Sequence, residues 1–296
     1  MSWCGLVNIN KPTGISSRKV VDCVQQLVWP AKAGHAGTLD PLATGVLVVC
    51  VGSATRLISH IQSGRKRYIG RFLLGKRSPT DDIDAEMVEG GAWSNITANQ
   101  IQQLLPDFLG TIQQTPPRIS AVKVGGHRAY KLARRGEAVE LQPRPVTIFS
   151  LKLAEFQPPE FELEIECGSG TYVRSLGRDL GERLGCGAVM SKLCRMSVGP
   201  FTLSHSILLD SIDRLSLAQA LTPPLAVVAD LPRRSLDPTE ICMVRQGQAI
   251  CSKIDCDVNY GGEVTLLDAD QTLIGIAVRE ASSQRLFPKV ILHSTP

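Results

Sequence analysis

Long apolar runs are missing from this chain of 296 residues. The longest runs only from Val46 to Val51, far short of the roughly 18 residues a membrane-spanning helix needs, and it reads as a buried strand. The opening Met1-Ser-Trp-Cys-Gly-Leu6 has no basic stretch ahead of an apolar one, so no secretory leader is expected and a cytoplasmic protein is. Nine cysteines are scattered at positions 4, 23, 50, 167, 186, 194, 242, 251 and 256 with no CxxC pair. That excludes a disulfide framework and a cysteine zinc site, and a reducing compartment suits them. Nucleotide-binding glycine fingerprints and metal-ligand clusters are absent too, so no cofactor and no metal are expected.

Charge of one sign is absent from one long segment. Between Thr111 and Gly136 there is no Asp or Glu, while Arg118, Lys123, Arg128, Lys131, Arg134 and Arg135 carry fixed positive charge, with His127 beside them. The formal net charge of the chain is only +4. Its concentration here, between Pro116-Pro117 and beyond Gly125-Gly126, suggests a projecting element whose charges meet phosphates.

What is present fits an ordinary globular protein, 43% hydrophobic and 20% charged. Residues 4 to 10 suggest a strand, and Ser16 or Ser17 caps a helix with Val20, Val21, Val24, Leu27 and Val28 on one face. Ala31 to Pro41 reads as loop and Gly45 to Val51 as strand. Thr97 and Gln100 form a candidate capping box. Arg118 to Val124 suggests a strand, and His127 to Arg135 a short helix ended by Gly136. Phe161, Leu163, Ile165 and Cys167 alternate as in a half-buried strand, and Tyr172 to Leu184 has helical spacing. Strands and helices mix without a regular βαβ repeat, which predicts an α+β fold on a mixed or antiparallel sheet. The proline-rich stretch Thr222 to Pro238 suggests a boundary before a small all-β module.

The most informative stretch is Gly34-His35-Ala36-Gly37-Thr38-Leu39-Asp40-Pro41-Leu42-Ala43-Thr44-Gly45. Proline at 41 biases Asp40 away from helical geometry, and the glycines allow positive φ or a close backbone approach. A rigid loop presenting one carboxylate ahead of a buried strand suits a nucleophile or base. It also suits a structural turn in which Asp40 caps its own loop.

This stretch resembles the signature loop of the TruB-type pseudouridine synthases. Ile9-Asn10-Lys11-Pro12, Lys66-Arg67-Tyr68 and Gly168-Ser169-Gly170-Thr171-Tyr172-Val173-Arg174 resemble other motifs of that family. Pro116 to Lys123, with Tyr130 and Ala133-Arg134-Arg135-Gly136, is similar to its inserted thumb loop, and the C-terminal 60 or so residues look like a PUA module. The resemblance implies a pseudouridine synthase catalytic domain over 1–230, a thumb insertion over about 112–146, and a PUA-like, barrel-like RNA-binding domain over 235–296. It implies isomerisation of uridine 55 in the tRNA T-loop by a monomer that needs no protein partner.

Carried over to this chain, the resemblance makes Asp40 the catalytic carboxylate, Tyr68 the ring that packs on the base, and Arg174 the partner that aims Asp40 through charge-assisted hydrogen bonds. It places His35 in the gap left by an everted base, Tyr172 and Leu193 in the base pocket, and Lys11 near the site as a structural or phosphate contact. Lys123, Arg128, Arg134 and Arg135 are the thumb's RNA contacts. Three alternatives stay open at this point. One is a synthase acting on another RNA such as rRNA, and another a noncatalytic RNA-binding or RNA-folding protein. The third is a hydrolase in which one of Asp81, Asp82 and Asp84 supplies a second carboxylate.

Overall fold

A computed structural model describes residues 3–119, 123–124, 127–128, 141–252, 262–280 and 284–292. The first elements are β1 (Gly5–Lys11), α1 (Ser17–Val28), β2 (Ala33–His35) and β3 (Thr44–Val51). Ser16 is the cap of α1, its hydroxyl accepting from the Lys19 N–H at 3.2 Å. The stretch Ala31 to Pro41 is not all loop, because Ala33, Gly34 and His35 pair with Val51, Cys50 and Val49.

The chain continues through β4 (Lys66–Leu74), β5 (Gly110–Gln114), β6 (Arg144–Gln157), β7 (Glu160–Cys167), α2 (Val173–Arg183), β8 (Ala188–Val198) and β9 (Ile207–Leu208). Strands β1 to β9 form most of a ten-stranded sheet in the order β9–β1–β3–β8–β4–β7–β6–β5, with β2 added beside β3 and Phe201–Thr202 beside β8. The pairings β1–β9 and β3–β8 are parallel, whereas β1–β3, β4–β8, β4–β7, β6–β7 and β5–β6 are antiparallel. The mixed α+β reading therefore holds.

The apolar run in β3 is explained by burial on both faces. Leu47, Val49 and Val51 pack with Val20, Val21, Val24 and Val28 of α1. Val46, Val48 and Cys50 point the other way, into a cluster with Ala54, Ile61 and Phe201. Burial pushes the Cys50 thiol up to about 12, so this cysteine acts as a small core hydrophobe. In β7 the alternation is realised directly, with Phe161, Leu163, Ile165 and Cys167 all buried.

Helix α2 lies close against the sheet at a glycine. A Cβ placed on Gly177 would come within 2.2 Å of the Phe72 ring, and Phe72 is itself stacked on Phe161 at 5.2 Å between ring centroids. The close approach sets the depth at which the first turn of α2, and so Arg174, enters the site.

The helix expected over His127 to Arg135 is not formed at its start. His127–Arg128 is a short strand paired with Lys123–Val124, and residues 129 to 136 lie outside the described residues. A Gly-Gly dipeptide joining two short segments favours a hairpin over a helix start. Of the strand expected over Arg118 to Val124, only Lys123–Val124 is extended and paired among the described residues.

The C-terminal part is a five-stranded sheet of β10 (Arg233–Ser235), β11 (Ile250–Cys251), β12 (Glu263–Leu267), β13 (Leu273–Arg279) and β14 (Arg285–Ile291), ordered β10–β12–β13–β14–β11. No pairing between its two end strands occurs among the described residues. Leu57 joins its apolar layer with Leu267, Leu273, Ile276 and Leu292, and the Arg56 Nη1 donates to the Ile291 carbonyl at 3.0 Å. No helix among the described residues is long and apolar enough to cross a membrane.

Candidate active site

The loop carrying Asp40 buries backbone that has few ladder partners, so its polar groups must be satisfied otherwise. Side chains do this from both sides. The Ser17 hydroxyl accepts from the Leu39 N–H and donates to the Leu39 carbonyl, each at 2.8 Å. The Lys11 ammonium donates to the carbonyls of Pro12, Pro41 and Ala43 at 2.8, 3.3 and 2.7 Å. Arg195 donates to Val46 and Gly37 carbonyls at 2.7 and 3.2 Å and reaches Thr38 at 3.5 Å. Gly37 and Gly45 take φ of +112° and +96°, and a Cβ on Gly45 would lie 2.3 Å from the Arg195 carbonyl oxygen. These glycines are what let the loop lie directly on β8.

Asp40 stands out of this clamped backbone with its side chain 36% exposed, and one carboxylate oxygen is 3.0 Å from Arg174 Nε. Arg174 is the second residue of α2, a place where the helix dipole disfavours a cation. Its surroundings offset that. The guanidinium, 7% exposed, also meets Asp82 at 3.3 Å and donates to the Thr80 and Ile119 carbonyls at 2.7 and 3.3 Å. The start of α2 is fixed in turn by Gln114, whose side-chain amide bonds both the N–H and the carbonyl of Tyr172 at 2.8 and 3.1 Å.

A cavity of about 630 Å³ opens at this point, walled by Asp40, Tyr68, Tyr172, Arg174, Leu193 and Arg195. Five of the residues singled out from sequence thus converge: Asp40, Tyr68, Arg174, Tyr172 and Leu193. Burial raises the Tyr68 phenol above its ordinary value, opposed by the charge of Arg195. His35 is half-buried on β2 and is not among the residues lining this cavity. Burial, then the charge of Arg195, lowers its pKa, which favours the neutral imidazole.

Of the two parts expected for Lys11, structural or phosphate contact, its surroundings match the structural one. It is fully buried, and its three donors are taken by backbone carbonyls, so it braces the loop instead of facing a phosphate. Lys123 and Arg128 are paired in the backbone register of two short strands. Arg134 and Arg135 lie outside the described residues.

Two residues of the site were not picked out as such from sequence. Arg195 follows Leu193 at strand spacing on one face of β8, and an arginine at a core-facing position was the available signal. Asp82 was named only as one of three carboxylates that a hydrolase could use. It is 5% exposed, accepts from the Thr80 hydroxyl and the Asp84 N–H at 2.5 and 3.0 Å, and does not line the cavity. A second catalytic carboxylate would have to face the substrate, and Asp82 faces Arg174. The exposed Asp84 has a raised pKa, through desolvation first and then the nearby charges of Asp82 and Asp40.

Comparisons with known proteins give the family of the chain. The TruB family pseudouridylate synthase (N terminal domain) matches residues 25–173, and the tRNA pseudouridylate synthase B C-terminal domain matches residues 174–243. The chain belongs to the TruB family of pseudouridylate synthases. The tRNA pseudouridine synthase B of Dehalococcoides mccartyi is 44% identical over 250 residues, covering 83% of each chain. That of Synechococcus sp. (strain CC9311) is 38% identical over 301 residues, covering 98% of each. Among solved structures, a Cbf5-Nop10-Gar1 complex contains a chain that superposes with a TM-score of 0.74 at 23% identity, covering 98% of this chain and 85% of that one. At that identity the likeness is one of fold. Within the TruB family frame, the Asp40 loop falls in the N-terminal match, and Arg174 is the first residue of the C-terminal one.

Proposed function

We propose that the protein isomerises uridine to pseudouridine in tRNA, at position 55 of the T-loop, with Asp40 as the catalytic carboxylate. The reaction breaks the bond from ribose C1′ to uracil N1, turns the base within the site and joins C1′ to C5. The proton lost from C5 is balanced by the proton gained at N1, so no redox agent or energy source enters. One observation carries the reading: a carboxylate aimed by a buried guanidinium at 3.0 Å, on the wall of a cavity of about 630 Å³ that also presents the Tyr68 ring.

Each neighbouring group has a part in that reaction. A uridine stacked in folded RNA must first be everted, at a cost of a few kcal/mol. His35, in its neutral form, is suited to stack in the vacated position. Tyr68 offers a flat face to the uracil, and Leu193 and Tyr172 supply apolar walls. Asp40 acts on the sugar or the ring while Arg174 holds its orientation. The basic thumb charges, Lys123, Arg128, Arg134 and Arg135 among them, and a PUA-like role for the C-terminal sheet supply the grip on RNA phosphates. The enzyme acts as a monomer.

The test is Asp40→Asn on T-loop RNA carrying tritium at uracil C5. Tritium release should vanish while the fold and the RNA affinity stay as in the wild type. Near-normal release from the variant would refute Asp40 as the catalyst.

A further inference from the structure

Arg195 is the largest fully buried side chain of the described residues, yet no carboxylate there forms an ion pair with it. Burying a cation without a counter-charge is costly, and such a group persists where its donors are spent on fixed acceptors. Arg195 stands between two separate pieces of the site. On one side are the carbonyls of Gly37, at 3.2 Å, and Thr38, at 3.5 Å, just ahead of Asp40. On the other is Tyr68, which sits directly opposite Arg195 in the β4–β8 register and lines the same cavity wall. The remaining bond, from Nε to the Val46 carbonyl at 2.7 Å, pins the guanidinium to β3, which continues from the loop.

We propose that Arg195 is a positioning residue for the isomerisation: one side chain, bonded to the Asp40 loop from the strand position opposite Tyr68, sets the separation of carboxylate and ring. The role rests on the reaction proposed above. A planar fork with several donors in fixed directions can tie three carbonyls at once while lying beside the Tyr68 ring, which a lysine, as a single point of charge, cannot. The bonds to Gly37 and Thr38, made from the residue paired with Tyr68, join the two elements whose relative placement the chemistry depends on.

The test is Arg195→Lys, read in single-turnover isomerisation of T-loop RNA beside the wild type. The rate constant should fall about 100-fold, the size of effect expected from misplacing a reacting group by about 1 Å, with RNA Kd and Tm close to wild type. A second readout does not depend on activity. Fluorotyrosine replaces the four tyrosines, Tyr68→Phe assigns the resonance, and Arg195→Lys should shift that resonance without moving the other three.

A wild-type rate, or an unmoved Tyr68 resonance, overturns the proposal. So does a rate loss fully matched by weaker RNA binding or a lowered Tm. Should the lysine variant fail to fold, Arg195→Gln is read in the same way. An inactive wild type with the Tyr68 shift still present would sink the proposed reaction and not the Arg195 contact.

Discussion

Asp82 lies 3.3 Å from the same Arg174 guanidinium that holds Asp40 at 3.0 Å. The two carboxylates differ in access. Asp40 is partly exposed on the cavity wall, and Asp82 is buried behind it with one oxygen engaged by Thr80 and Asp84 and the other by Arg174. Asp82 therefore reaches the chemistry only through Arg174. A guanidinium held by two carboxylates and two carbonyls has little freedom to turn, and that rigidity passes to Asp40.

Asp82→Asn keeps the shape and removes the charge. Arg174 then keeps one anionic partner instead of two and gains freedom to swing toward Asp40 or the cavity. The single-turnover rate is expected to fall about 10- to 100-fold with RNA Kd unchanged, in line with the loss from a small misplacement of a reacting group. Rates and binding measured side by side check this, and an unchanged rate would show that Arg174 is held well enough by its carbonyl contacts.

Gly177→Ala tests the packing that delivers Arg174. The two residues lie one turn apart on α2, and the added Cβ would meet a Phe72 ring that cannot retreat from Phe161. Overpacking of this kind costs about 1–3 kcal/mol, so the urea midpoint should drop. The rate should drop too, because the helix can only relieve the clash by lifting Arg174 away from Asp40. Loss of stability without loss of rate would mean that the sheet yields instead of the helix.

Much of this was legible in the sequence, and the rest was hidden for a definite reason. The apolar run at Val46 to Val51, the alternation from Phe161 to Cys167 and the capping box at Thr97 are local patterns, and each formed the element it predicted. The glycine-bounded loop around Asp40 was also readable on its own. The pairing of Asp40 with Arg174 came from family resemblance, since nothing in a spacing of that length dictates contact. Arg195 and the true setting of Lys11 were obscured because their partners are backbone carbonyls, which have no residue signature. Arg195 and Gly37 are 158 positions apart, and the carbonyls around Lys11 come together only once the loop has folded over β1.

The thumb charges make a prediction from sequence that stands apart from the site. Reversing Arg134 and Arg135 to Glu removes two cations and adds two anions in a segment without acidic residues. RNA affinity should fall, and the plot of log affinity against log salt should flatten by about 0.7–0.9 for each phosphate that the protein no longer neutralises. Filter binding of tRNA over a series of salt concentrations measures both. An unchanged slope would mean that these charges meet no phosphate.

Lys11 gives the site a pH dependence whose sign can be worked out. Burial lowers its pKa from 10.5 to about 8, with the charge of Asp40 opposing the shift and that of Arg195 adding to it. Below that pH the ammonium has a proton for each of its three carbonyls. Above it, the neutral amine has two N–H donors for three acceptors, so one of the loop carbonyls at Pro12, Pro41 or Ala43 loses its partner. The loop beside Asp40 slackens, and the isomerisation rate should fall as pH rises through about 8. Stability from this same group moves the other way. Between about 8 and 10.5 the unfolded chain holds a proton that the folded chain has released, so its contribution to folding rises with pH over that window. A falling rate without a matching loss of Tm thus separates titration of Lys11 from alkaline unfolding. Lys11→Met has no proton to lose, and its rate, lower than wild type at neutral pH, should be flat across the same range. An alkaline limb that survives in the methionine variant would assign the titration to another group.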